Sequence, residues 1–442
     1  MKRIYTALSG FILLFALMVG LISTFDKDAT FSDAERRPLK TRPALTLSGL
    51  LDGTYFNEYR EYYADTFPNR ETLMDANTTM NGFYYFGGLG SDDSASLVVD
   101  FSANAAQHGE ALKATEDPNA TSNTEEETEP VNKPTEPAGS AEQLGSVVLI
   151  GNSAFDVPYA KNDQIKEYAQ AVTAIADTLG SEVKTFSMPV PNSAEFYTHK
   201  EYHTGKTSQK DMFQLCKDTL GSNVTYVDAY SAIEKHTGEY IYFRTDHHWT
   251  HLGAYYAYTA LCQSAGFTPV NRDDFATGQW ENFVGSMYTY VANYPQGRVL
   301  KENPDTVHYW KPNANCTTTC YNSTALTGGY AMGTICRVGE DVENKYLTFM
   351  GGDHPVAIVE TDTDGPCIMV VKESYGNALI SWLTNHYSKI ILIDPREYFG
   401  KNADINLAEF AQSQGVDHCL VVNYPMMLNS DGYTGLLQQL VK

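Results

Sequence analysis

Ile368-Met369-Val370-Val371-Lys372-Glu373-Ser374-Tyr375-Gly376-Asn377-Ala378 is the stretch on which the fold turns. Its first residues are uninterruptedly apolar, the pattern of a strand buried on both faces. A helical run begins near Asn377 and extends to Thr384, and a second apolar run follows at Ile390–Ile393. Strand, helix and strand in that order make a βαβ unit, which requires parallel pairing. Ser374 then falls on the strand-to-helix turn, beside unpaired backbone N–H groups and the positive end of the helix dipole, which can hold an oxyanion. A nucleophilic serine takes this placement, although Gly-x-Ser-x-Gly is absent. For an isolated serine at such a turn the plainer role is a helix cap.

The same alternation extends in both directions from Gly145 onward. Strands are predicted at Ser146–Ile150, Val183–Val190, Val224–Ala229, Tyr240–Phe243, Ile368–Lys372, Ile390–Ile393 and Cys419–Val422. Helices are predicted at Asp163–Leu179, Gln209–Leu220, His251–Ala265, Asn377–Thr384 and Leu407–Gln414. The expectation is an α/β domain over residues 145–442, a parallel sheet flanked by helices. Sites in such sheets lie beyond the carboxyl ends of the strands. Residues 266–360 break the alternation with Tyr, Thr, Asn and Gly around short apolar runs such as Tyr346–Met350 and Val356–Val359, and read as an inserted β-rich subdomain.

Arg244-Thr245-Asp246-His247-His248-Trp249-Thr250-His251 is the second informative string. It follows the predicted strand Tyr240–Phe243 and precedes a helix that Thr250 would cap. In extended backbone residues i and i+2 face the same way, so Asp246 and His248 share a face while His247 points elsewhere. A carboxylate beside an imidazole fixes its tautomer and stabilises the imidazolium, as general-base chemistry requires. A buried polar cluster tying two elements together is the alternative. If both strands belong to one sheet, their ends bring the base pair and Ser374 to one edge.

Asp246-His247-His248-Trp249 resembles the signature of the DHHW protein family of Gram-positive bacteria. That family is similar to the alginate O-acetyltransferases, whose catalytic domains resemble SGNH hydrolases with a reordered chain. The resemblance extends to Asp65–Arg70, Gly151-Asn152-Ser153, Gly351-Gly352-Asp353-His354-Pro355 and the Lys372–Asn377 block. It implies Asp246, His248 and Ser374 as a catalytic triad that needs no cofactor and no metal. Where SGNH enzymes place Gly-Asp before the serine, this chain has Lys372-Glu373. The oxyanion and substrate candidates are Asn377, the backbone at Tyr375, Asn152, Arg244 and Trp249.

The N-terminal part has a different composition. Met1-Lys2-Arg3 precedes a nearly uncharged run to Phe25, the pattern of a signal peptide or a single membrane anchor. A small-x-small cleavage site is missing, which favours an anchor over residues 1–25. The positive-inside rule leaves Asp26 onward outside the cytoplasm. Residues 26–101 read as a stalk followed by two helices around Asp65–Arg70. Residues 102–144 hold no aromatic side chain and carry nine acids against Lys113 and Lys133. Such a segment cannot bury enough apolar surface to order itself and reads as a disordered acidic insert. The chain has 442 residues and a net charge of −23, with 54 acidic and 31 basic side chains. That balance excludes nucleic-acid binding through a cationic surface. Seven cysteines cannot all pair within the chain, and Cys316, Cys320 and Cys336 cluster closely enough for a local disulfide.

The family resemblance, with the N-terminal pattern, implies an extracytoplasmic O-acetyltransferase or acetylesterase acting on a cell-surface polysaccharide. The resemblance further implies a membrane partner that exports acyl groups. Two alternatives rest on other features. The wealth of Tyr and Trp suits a non-catalytic glycan-binding protein. Asp246, His247, His248 and His251, with Asp353 and His354, offer ligands for a metal-dependent hydrolase.

Overall fold

The structure, a computed structural model, describes residues 31–32, 37–38, 40–46, 54–67, 141–199, 202, 208–340, 342–401 and 404–442. The expected anchor, the second N-terminal helix and nearly all of the acidic insert lie outside these residues. Among the described residues no helix is long and apolar enough to cross a membrane. The N-terminal part is a unit of its own. It holds a short antiparallel pairing of Phe31–Ser32 with Arg37–Pro38 and a helix, Thr54–Asp65. Tyr55, Tyr59 and Tyr62 pack in a row along that helix with ring centroids 5.8 and 5.5 Å apart, tilted and edge-to-face, as helical spacing places them on one face.

In the larger unit the strands are β1 Glu142–Leu144, β2 Val147–Ile150, β3 Ser153–Asp156, β4 Lys184–Pro189, β5 Val224–Tyr226, β6 Thr277–Phe283 and β7 Asp305–Trp310. They continue with β8 Cys316–Tyr321, β9 Tyr330–Met332, β10 Val356–Thr361, β11 Cys367–Lys372, β12 Lys389–Ile393 and β13 His418–Asn423. Eight of them form one sheet in the order β9-β8-β10-β12-β11-β13-β4-β5. β12, β11, β13, β4 and β5 run parallel. Every residue of β11 is buried, which accounts for its unbroken apolar run.

The sheet is mixed, not parallel throughout as expected. The link between β10 and β11, residues 362–366, is too short for the crossover that parallel pairing needs. β10 therefore pairs antiparallel with β12, and β8 and β9 extend that antiparallel edge. Consequently the span 266–360 is not a separate β-rich subdomain, since three of its strands complete the main sheet. Only β6 and β7 form a small sheet of their own. β1, β2 and β3 form a separate antiparallel meander, so the predicted Ser146–Ile150 strand is absent from the main sheet. The end of the expected disordered insert is strand β1, fixed by the tight turn at Gly145, whose φ is 62°.

The longest helices of the larger unit among the described residues are α1 Asn162–Leu179, α2 Gln209–Thr219 and α3 His251–Ala265. α1 buries Ile165, Tyr168, Ala169, Val172 and Ile175, one stripe at 3.6-residue spacing. Thr250 caps α3, its Oγ1 accepting the Gly253 N–H at 3.3 Å, and Gly266 ends it in the left-handed region.

Candidate active site

Ser374 stands two residues past the end of β11, on a 3-10 turn Ser374–Leu379 that leads into a short helix, Ile380–Leu383. Glu373 caps this turn, its Oε2 accepting the Tyr375 N–H at 2.8 Å. Its Oε1 accepts the Tyr424 N–H at 3.2 Å, which ties the turn to the end of β13. Burial pushes the Glu373 carboxyl up from its ordinary value.

The Asp246–Trp249 loop reaches Ser374 by another route. Tyr240–Phe243 is not a strand of the sheet. Tyr242 makes a single antiparallel bridge with Trp249, so the segment closes on itself. Asp246 and His248 do not share a face of extended backbone either. Asp246 Oδ1 accepts the His248 N–H at 2.9 Å, an Asx turn, and the same oxygen lies 2.6 Å from His248 Nδ1. His247 does not point away, its ring centroid being 3.8 Å from that of His248. Its Nδ1 lies 2.7 Å from Ser286 Oγ.

The array closes at His248 Nε2, which is 2.8 Å from Ser374 Oγ. Asp246 Oδ2 accepts the Ser286 N–H at 2.8 Å. Burial alone would raise the Asp246 carboxyl, but the imidazoles of His248 and His247 and the Ser286 N–H hold it well below the usual carboxylate range. It is therefore an anion at neutral pH. Burial, with the neighbouring His248, pushes His247 down to about 3, so it is neutral. The arrangement can deprotonate a serine hydroxyl and stabilise the resulting imidazolium.

Two reciprocal hydrogen bonds join the loops. Trp249 Nε1 donates to the Tyr375 carbonyl at 2.9 Å, and the Tyr375 hydroxyl donates to the His247 carbonyl at 2.6 Å. Trp249 and Tyr375 thus brace the site from within the core. The Tyr375 N–H is already taken by Glu373. Asn377 Nδ2 donates to Asp353 at 2.8 Å, away from Ser374. Arg244 Nε donates to Asp305 at 3.1 Å and Nη2 to the Pro304 carbonyl at 2.8 Å. Asn152 sits in the β2–β3 hairpin turn and shares no hydrogen bond with Asp246, His248 or Ser374. Of the oxyanion and substrate candidates, then, none has a side chain directed to Ser374 by a hydrogen bond.

The six donors of the metal alternative do not converge. Asp246, His247 and His248 bring ligand atoms within 4.8 Å of one another, yet both ring nitrogens of His248 are engaged. His251 is bound to Ser381 and Trp310, and His354 to Met350 and Tyr330. All seven cysteines are free thiols.

Sequence reasoning missed Tyr346. Its ring stacks on His248 at 3.8 Å with an interplanar angle of 12°, and its hydroxyl donates to the Ser374 carbonyl at 3.0 Å. It also missed Asp305. That carboxylate accepts the N–H groups of Arg244 and Thr245, the Thr245 hydroxyl at 2.6 Å and the Tyr240 hydroxyl.

The larger unit is thus a mixed sheet flanked by helices, with Ser374 beyond the carboxyl end of β11 and hydrogen-bonded through His248 to Asp246. The DHHW protein family model matches residues 105–393, and the chain belongs to that family. Among solved structures it is similar to a DHHW family protein from Eubacterium siraeum, with 29% identity and a TM-score of 0.60, covering 67% of this chain and 96% of that one. It is also similar to PatB1 of Bacillus cereus, with 17% identity and a TM-score of 0.52, covering 66% of this chain and 98% of that one. The same protein solved with a sulfonyl adduct matches at 16% identity and a TM-score of 0.51, with 66% and 97% covered. These PatB1 likenesses establish a shared fold. No curated protein matches the chain.

Proposed function

We propose that the protein is a Ser-His-Asp acyltransferase or esterase, with Ser374 as nucleophile, His248 as general base and Asp246 as its orienter. One observation carries the reading: the continuous hydrogen-bonded path from Asp246 Oδ1 through His248 to Ser374 Oγ, with links of 2.6 and 2.8 Å. It joins residues more than a hundred positions apart at the end of a central strand.

In the first half-reaction Ser374 Oγ attacks the acyl carbon of a donor as His248 Nε2 takes the hydroxyl proton. The Oγ–carbon bond forms, and the donor's leaving group departs with that proton. In the second, an acceptor hydroxyl gives its proton to His248 and attacks the acyl carbon; Ser374 leaves and recovers the proton. Water as acceptor makes the protein an esterase. The Ser374 N–H opens the 3-10 turn, and no backbone acceptor for it is found among the described residues. It is the donor best placed for the developing oxyanion.

With the family resemblance, this chemistry favours acetyl transfer to the hydroxyls of a cell-surface polysaccharide. The setting would be outside the cytoplasm, fed by a membrane partner that exports acyl groups. Intact mass after incubation with an activated acetyl ester tests the reading. A gain of one acetyl group in the wild type and none in Ser374→Ala is expected. An equal gain in both proteins overturns the assignment of Ser374.

A further inference from the structure

Beside Ser374 lies a buried charge cluster that the proposed chemistry does not use. Asp353 Oδ1 accepts from Lys372 Nζ at 2.7 Å and from Asn377 Nδ2 at 2.8 Å, while its Oδ2 accepts from Arg396 Nη2 at 2.8 Å. Lys372 precedes Ser374 by two residues and Asn377 follows it by three. A single carboxylate oxygen therefore spans the turn that carries the hydroxyl. Gly376 closes the turn against the Lys372 stem, where an added Cβ would come within 2.7 Å of Lys372 Cβ.

Two buried cations, Lys372 and Arg396, face two carboxylates, Asp353 and Asp394, so neutrality calls for Asp353 but does not dictate its bond to Asn377. Asp394 already pairs fully with Arg396, accepting from Nε at 3.0 Å, from Nη2 at 2.7 Å and from the Arg396 N–H at 3.1 Å. Lys372 lies farther from Asp394, at 3.4 Å. The addition made by Asp353 is short bonds to both sides of the turn. The chain leading to Asp353 is unusual as well, with strain at Met350 and glycine at the two positions that follow. Met350, Gly351 and Gly352 have φ of 62°, 71° and 114°, three successive residues in a region L-residues avoid. Gly351 has no room for a side chain, since a Cβ there would meet Met332 Sδ at 2.5 Å.

We propose that Asp353 is the positioning residue of the nucleophile turn, holding Ser374 Oγ within hydrogen-bond reach of His248 Nε2. The proposal rests on the Ser374–His248–Asp246 reading above. It differs from a merely stabilising role in predicting a defect in the reactivity of Ser374 at unchanged probe affinity.

The test compares wild type, Asp353→Asn and Asn377→Ala as full chains, with two readouts. The first is inactivation by phenylmethanesulfonyl fluoride, resolved into kinact and KI by intact mass. Asp353→Asn should lower kinact about 10- to 100-fold, the scale of a misplacement near 1 Å. Asn377→Ala, which changes no charge, should lower it by about 3- to 10-fold. In both variants KI should stay within about twofold. The second readout, hydrogen exchange, is independent of the chemistry. Peptides spanning 372–380 should exchange about tenfold faster, with those of β8 and β10 unchanged. Unchanged kinact, or unchanged exchange across the turn, overturns the proposal. If wild type is not labelled, the catalytic reading fails and exchange alone decides whether Asp353 holds the turn. If Asp353→Asn does not fold, Asn377→Ala decides both readouts.

Discussion

Ser374 follows a strand buried on both faces between two parallel neighbours, whereas Asp246 and His248 stand on a loop that belongs to no sheet. The Ser374 turn inherits its place from β11, and Glu373 and Asp353 hydrogen-bond to it. The Asp246–His248 loop has no such strand beneath it. Its shape comes from its own Asx turn, from Trp249 packed in the core, and from groups supplied by residues 283–305. Asp305 at the start of β7 holds Arg244 and Thr245; the Thr245 hydroxyl in turn accepts the Gly285 N–H at 2.9 Å, and the Ser286 N–H holds Asp246. Each half of the array thus has a buried carboxylate from a distant segment fastening it, Asp353 for the turn and Asp305 for the loop. The difference lies in what remains when the fastening is lost: a strand end in one case, an unsupported loop in the other.

The sharpest way to break this comparison is to substitute one glycine in each half. A Cβ on Gly285 would lie 2.2 Å from Asp246 Cβ and 2.5 Å from its Oδ2. Atoms that close to the backbone have little freedom to move. Gly285→Ala should therefore displace Asp246, slow sulfonyl fluoride labelling of Ser374 about 100-fold and cost about 1–3 kcal/mol in denaturant unfolding. Gly376→Ala meets Lys372 Cβ at the longer distance of 2.7 Å, a smaller overlap to relieve, and should slow labelling by only about tenfold. A larger defect from Gly376→Ala would show that the strand-borne turn is the less tolerant half.

Asp305→Asn tests the fastening of the loop directly. It keeps the shape and removes the charge that several donors share. A loss of about 2 kcal/mol is expected, the scale of hydrogen bonds to a charged group. Hydrogen exchange should rise in peptides covering 240–250 and stay unchanged across 372–380, the reverse of Asp353→Asn. A rise at both places would mean that the two halves open as one unit.

The fold was largely legible because parallel strands must be continuously apolar, and Ile368–Val371, Ile390–Ile393 and Cys419–Val422 are. The antiparallel edge was hidden because β8, Cys316–Tyr321, is rich in Thr and only partly buried; its apolar content is too low to mark it. Ser374 could be found from the strand-to-helix turn, and Asp246 with His248 from their spacing. That spacing would pair them on extended backbone, whereas the two meet through an Asx turn. Tyr240–Phe243 looked like a strand because Ile241, Tyr242 and Phe243 are buried, but burial there serves the aromatic core around Trp249. Tyr346 and Asp305 act through tertiary contacts, and no local pattern marks them; Asp353 falls in the Gly351–Pro355 block of the family resemblance, but its bonds to Lys372 and Asn377 are tertiary. The positive-φ run before Asp353 left a visible trace as Gly351-Gly352.

Acid should separate the two halves by pH. Burial holds both His247 and His251 down at about 3, on the loop and at the start of α3. Unfolded histidine titrates near 6.5. Between those values the unfolded chain binds more protons, so stability rises with pH, is complete above about 6.5 and is lost as pH falls. Each histidine should cost about 2 kcal/mol on going from pH 7 to pH 5. On the turn, Lys372 and Arg396 hold the Asp353 carboxyl well below its usual range against the opposing effect of burial. Its contribution is present above the unfolded carboxylate value near 3.9 and is lost only below it. At pH 5, exchange in peptides covering 244–262 should therefore increase before that in 372–380. Simultaneous loss at both places would contradict this order.

The smallest effect belongs to the residue that touches both halves. Tyr346 lays its ring on His248 and donates its hydroxyl to the Ser374 carbonyl. Tyr346→Phe keeps the ring and removes the hydrogen bond, a loss of about 1 kcal/mol or roughly fivefold in labelling rate. If the bond serves the turn, its effect should be smaller in the Asp353→Asn background, where the turn is already loose, because residues that share one structural task are not additive. In the Asp305→Asn background, where only the loop is disturbed, the full fivefold effect should persist. Additivity with Asp353→Asn and non-additivity with Asp305→Asn would instead assign the hydroxyl to the base loop, making Tyr346 a part of the support that the sheet does not supply.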